Sequence, residues 1–80
     1  MDDYALVLNA GSSSLQFCVF VRRAGEAWQL ASRGQIEGIG TSPRISARNS
    51  EREVLIDQEL DASVRDQRSA LQALAEWLEA

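Results

Sequence analysis

The spacing of apolar positions changes along the chain, and each change marks a new element. Tyr4-Ala5-Leu6-Val7-Leu8 is an unbroken apolar run closed by Asn9 and Gly11. A run without alternation predicts a strand covered on both faces, and hence a central place in its sheet. From Leu15 the pattern alternates, with Leu15, Phe17, Val19 and Val21 on one face and Gln16, Cys18, Phe20 and Arg22 on the other. That is the period of a second strand, rich in β-formers. Only a few small residues separate the two, so they are expected to pair antiparallel through a tight turn whose amides face outward. The polar stretch Arg23-Ala24-Gly25-Glu26 precedes a third predicted strand over residues 28–36, bent at Gly34. After another break over residues 38–43, Arg44-Ile45-Ser46-Ala47-Arg48 and Glu53-Val54-Leu55-Ile56-Asp57 flank the polar tip Asn49-Ser50-Glu51. This reads as a second, more exposed hairpin.

The end of the chain switches to a helical period. Val64, Leu71, Leu74, Ala75 and Leu78 fall on one stripe, with Ser63 and Asp66 spaced as a capping box. Trp77 lies beside the stripe, and both it and Trp28 are expected in the core. The acidic run Asp57-Gln58-Glu59-Leu60-Asp61 is expected to complement the positive end of the helix dipole. No glycine, asparagine or proline ends the helix before Ala80, so the chain is expected to continue in a longer natural protein. The predicted class is α/β, α+β by content: a mainly antiparallel sheet of about five strands with a C-terminal helix.

Composition narrows the chemistry. With 80 residues, 45% hydrophobic and 25% charged, the chain is suited to one small globular domain with a modest core. Cys18 has no second cysteine to bond, and no histidine is present to share a zinc ion with it. Cys18 is expected to serve as a small buried hydrophobe. A net charge of -4 argues against nucleic acid as a partner, since that grip needs clustered positive charge. Every basic residue is arginine, so the lysine of a Walker-type loop is absent. The apolar run at residues 4–10 is too short to span a bilayer and follows Asp2 and Asp3 rather than a positive flank. No membrane association is expected, and a cytoplasmic setting is.

Between the first two strands, Asn9-Ala10-Gly11-Ser12-Ser13-Ser14 places small residues, backbone amides and three hydroxyls at one turn. Consecutive N–H groups at a turn form a nest suited to anionic oxygens, and glycine leaves room or takes positive φ. Hydrogen bonds to a charged acceptor contribute about 1.5–3 kcal/mol each. Asn9, at the strand end, offers a neutral oxygen able to orient a Mg²⁺-bound water. On composition alone, an ordinary serine-rich hairpin turn fits these residues equally well.

The whole run Val7-Leu8-Asn9-Ala10-Gly11-Ser12-Ser13-Ser14-Leu15 resembles the N-terminal signature of the acetate kinase family, which includes propionate and butyrate kinases. Arg33-Gly34-Gln35-Ile36-Glu37-Gly38-Ile39-Gly40 is similar to that family's third strand, and Asp66-Gln67-Arg68-Ser69-Ala70-Leu71 to the start of its first helix. The resemblance implies an actin-like, ribonuclease-H-like ATPase fold, with residues 1–80 forming the N-terminal part of its first lobe. It further implies transfer of the ATP γ-phosphoryl group to a short-chain carboxylate, with ATP and Mg²⁺ as cofactors and a homodimer in the complete enzyme.

Asn9 is then the residue that helps place Mg²⁺, and Ser12 and Ser14 approach the nucleotide phosphates. The nucleotide-binding candidates are Gly11, Ser12, Ser13, Ser14 and Gln16, the last standing where the family commonly has lysine. The family's substrate arginines, catalytic aspartate and active-site histidine have no match here. The chain alone is therefore expected to be inactive. A non-catalytic interaction or regulatory module that kept the fold is the competing reading.

Overall fold

A computed structural model describes residues 2–79. Its elements follow in the order β1 (Asp3–Ala10), β2 (Leu15–Arg22), β3 (Gln29–Glu37), β4 (Arg44–Asn49), β5 (Val54–Glu59) and α1 (Gln67–Glu79). The strands form one antiparallel meander in chain order, β1 through β5. The short turns allow no other pairing, because a parallel neighbour needs a long crossover. The α+β arrangement matches the expected class and is consistent with part of an actin-like fold.

Alternation along β2 to β4 turns Leu15, Phe17, Ile36, Ile45 and Ala47 to one face, where each is buried. Helix α1 covers that face with Ala70 and Leu74, both fully buried, and with Trp77 packed alongside. The rings of Phe17 and Trp77 sit 5.8 Å apart at 55°, the tilted contact that aromatic quadrupoles favour. The second hairpin turns through Asn49, whose Oδ1 accepts from the amides of Glu51 and Glu53, with Arg52 in the left-handed region at φ 67°.

Several expectations are corrected. β1 is an edge strand, not a central one: Leu6 and Val7 are 43% and 54% exposed. Its apolar run suits coverage on both faces, but α1 lies over the middle of the sheet and nothing among the described residues pairs with the outer edge of β1. The irregularity in β3 falls at Ala31, the extra residue where the register shifts between Val19 and Phe20. Gly34 instead makes space, since a Cβ there would come within 2.7 Å of the Phe17 ring and collide with the Ser46 carbonyl. β4 is less exposed than the hairpin reading implied, because Ile45 and Ala47 belong to the core.

The helix begins later than the Ser63 spacing implies and is rotated. Asp66 caps it by accepting from the Ser69 amide at 2.8 Å, while Leu71 and Leu78 stay outside the core at 43% and 40% exposure. Trp28 is exposed and stacks on the Arg22 guanidinium, 4.7 Å from its ring centroid. Asp57 and Glu59 serve β5 rather than the helix dipole, with Asp57 paired to Arg44 at 2.8 Å. Cys18 is half-buried on the face away from the helix, opposite Val7.

Candidate functional site

The turn between β1 and β2 is shaped by what its carbonyls do. The Gly11 amide donates to the Ser14 carbonyl at 2.8 Å, closing the hairpin. The Ser13 carbonyl accepts from the Ile39 amide at 3.0 Å. Nε2 of Gln67, the first residue of α1, donates to the Gly11 carbonyl at 2.7 Å and to the Ser14 carbonyl at 3.0 Å. Three carbonyls of the turn are thus held against the protein. Among the described residues, the amides of Ser12, Ser13 and Ser14 donate to no protein acceptor. Ser12 and Ser13 are exposed and Ser14 is half-buried.

Gly11 does not use the left-handed backbone that its turn position suggested; Gly25, Gly38 and Gly40 do. A Cβ on Gly11 would stand 2.7 Å from the Ser14 hydroxyl, so glycine here leaves that hydroxyl in its place. Asn9 and Gln16 are cross-strand partners. Because Leu8 pairs with buried Phe17, the alternation puts Asn9 and Gln16 together on the face away from α1. Both are exposed. The structure therefore brings residues 9 and 16 side by side just below the turn that carries residues 11–14.

The position of α1 is fixed at the same end. Asp66 accepts from the amide and hydroxyl of Ser69, and that hydroxyl accepts from the Arg65 and Asp66 amides. The Ser69 amide, then its hydroxyl, hold the Asp66 carboxyl below its ordinary value of 3.8; partial desolvation opposes this, and Arg65 and Arg68 add to it. A concavity of about 950 Å³ runs over β2 to β5 and touches Gln16, but it does not reach residues 9–14. The unbonded amides of Ser12 to Ser14 and the exposed hydroxyls of Ser12 and Ser13 gather hydrogen-bond donors at one turn.

Two curated proteins share this sequence closely. The acetate kinase of Rhizobium meliloti is 46% identical over 77 residues, covering 95% of this chain. The chain matches acetate kinases along almost its whole length. The acetate kinase of Nitrobacter hamburgensis is 38% identical over the same share. The chain spans 19% of the length of each of these acetate kinases, consistent with an N-terminal piece. The likeness to acetate kinase carried by residues 7–15 is thereby borne out. No family model matches the chain, and no solved structure does. No helix among the described residues is long and apolar enough to cross a membrane.

Sequence reasoning missed Gln67 and Ile39 as partners of the turn. They lie far along the chain from it, and neither residue type carries a local signal for such a contact.

Proposed function

We propose that this chain supplies the phosphate-binding turn of an acetate kinase, an enzyme that moves the γ-phosphoryl group of ATP to a short-chain carboxylate. The observation that carries the reading is the inward fastening of the Gly11, Ser13 and Ser14 carbonyls, with the Ser12 to Ser14 amides left free for an outside acceptor. Phosphoryl transfer is catalysed mainly by positioning and charge stabilisation, and preset amides and hydroxyls provide both. Ser12, Ser13 and Ser14 bind and orient phosphate oxygens, and Gly11 keeps the approach open. Gln16 adds a neutral contact beside them.

Among the described residues no cluster of three or more His, Cys, Asp or Glu is placed to enclose a metal ion. Asn9, exposed at the end of β1, fits an outer role toward a Mg²⁺ held mainly by the nucleotide, because that ion keeps several waters and binds few protein groups. Bound there, Mg²⁺ neutralises phosphate charge. The acceptor carboxylate, a cytoplasmic location and a dimer of the complete enzyme belong to the same proposal. The neutrality of Gln16 favours a second reading, a non-catalytic module that retains the nucleotide turn.

The isotope-labelled chain titrated with Mg-ATP is expected to show saturable, weak amide shifts centred on Gly11 to Ser14. It should form no acetyl phosphate from acetate and ATP. Shifts confined to β3, β4 and β5, or none at all, would remove the nucleotide reading. Acetyl phosphate production by these residues alone would overturn the assignment of the missing catalytic groups to other parts of the enzyme.

A further inference from the structure

Gln67 forms a long-range polar tie between helix and turn, reaching the Gly11 and Ser14 carbonyls across 56 and 53 residues of chain. A glutamine at the first turn of a helix ordinarily points to water. This one is half-buried, and its Oε1 is buried without a protein donor. Leaving an acceptor unpaired costs about 1–3 kcal/mol, so the side chain is oriented to deliver both N–H groups to the turn at the expense of its own oxygen. The two carbonyls settle which end of the amide is nitrogen, since oxygen there would face oxygen.

We propose that Gln67 is the positioning residue of the Gly11–Ser14 turn: by fastening the two carbonyls that flank Ser12 and Ser13, it presents their amides outward as a fixed anion nest. The proposal rests on the nucleotide reading above for the identity of the anion, a nucleotide polyphosphate, but not for the fastening itself. Its position is set by the neighbouring Asp66–Ser69 cap, which fixes where α1 begins. The packing of Ala70, Leu74 and Trp77 on the sheet then sets the distance from Gln67 to the turn. Helix docking and turn geometry are therefore one event, and a turn without α1 lacks two of its holding hydrogen bonds.

The test compares the 80-residue chain with Gln67→Leu, which keeps the bulk and removes the donors, and Gln67→Glu, which keeps the shape and sets a carboxylate against two carbonyls. With both hydrogen bonds lost and a half-buried carboxylate facing two carbonyl oxygens, Gln67→Glu should lower the thermal midpoint by more than the positive end of α1 returns. A merely structural role predicts no more than that. The positioning role predicts that in both variants the amide order parameters of Ser12 and Ser13, measured without nucleotide, fall from about 0.85 toward 0.6 or less. In Gln67→Leu, affinity for Mg-ATP and for inorganic tripolyphosphate should also weaken about fivefold to tenfold through loss of two hydrogen bonds. A turn that stays as ordered in both variants as in the parent overturns the positioning role whatever binds. A turn loosened in both variants, in a parent chain that binds neither Mg-ATP nor tripolyphosphate, upholds the fastening and removes only the nucleotide reading.

Discussion

Gly11 and Gly34 are both glycine because of what a side chain would touch, yet the consequences differ. At Gly34 a Cβ would meet the Phe17 ring at 2.7 Å and the Ala47 Cα at 2.8 Å, and neither can yield without moving the sheet. At Gly11 the obstructed atom is the Ser14 hydroxyl, which can rotate away. Gly34→Ala is therefore expected to cost about 1–3 kcal/mol in urea unfolding, the usual penalty of overpacking. Gly11→Val should lose less stability than that but, under the proposed function, weaken Mg-ATP binding several-fold by displacing the Ser14 hydroxyl. Equal stability losses with unchanged binding would mark the turn as structural only. The residue letters showed that residue 11 must be small; they did not show that the reason is Ser14 rather than positive φ.

At the scale of elements, the helix is the instructive case. Its apolar letters point to a stripe through Leu71 and Leu78, but Ala70, Leu74 and Trp77 face the sheet. Ala70 allows close approach, and Trp77 finds Phe17. The cap shifted from Ser63 to Asp66 because Ser63 is used in a turn, its amide donating to the Asp61 carboxylate at 2.8 Å. Since Ser69 holds the Asp66 carboxyl below its ordinary 3.8, the folded state favours the ionised form. Its stabilising effect is complete above that ordinary value and is lost as pH falls through the lower folded one. The difference in thermal midpoint between the parent chain and Asp66→Ala should accordingly be present at neutral pH and shrink as the pH is taken below about 4. Asp66→Asn, which caps without titrating, should remove that cap-linked part of the pH dependence. A difference that stays constant down to pH 2 would show that the carboxylate is not the cap.

The whole molecule depends on one thin layer of contacts between α1 and the sheet. A chain of this length has about 4–12 kcal/mol of stability in total, and Leu74 is fully buried in that layer. Leu74→Ala should remove about 2–5 kcal/mol, seen as a large drop in urea midpoint, and should loosen the β1–β2 turn together with the helix. The order of the elements, both hairpins and the turn at residues 9–14 were legible in the sequence, because each is specified by neighbours within a few residues: alternation, turn residues and small side chains. The same local reading made β1 central, since an apolar run reports a demand for coverage and not whether these residues supply it. The rotation of α1, the space that Gly34 leaves for Phe17, and the hold of Gln67 on the turn were decided only by tertiary structure. Each depends on atoms brought together from positions well separated along the chain, and such contacts leave no period or motif in the sequence around either partner.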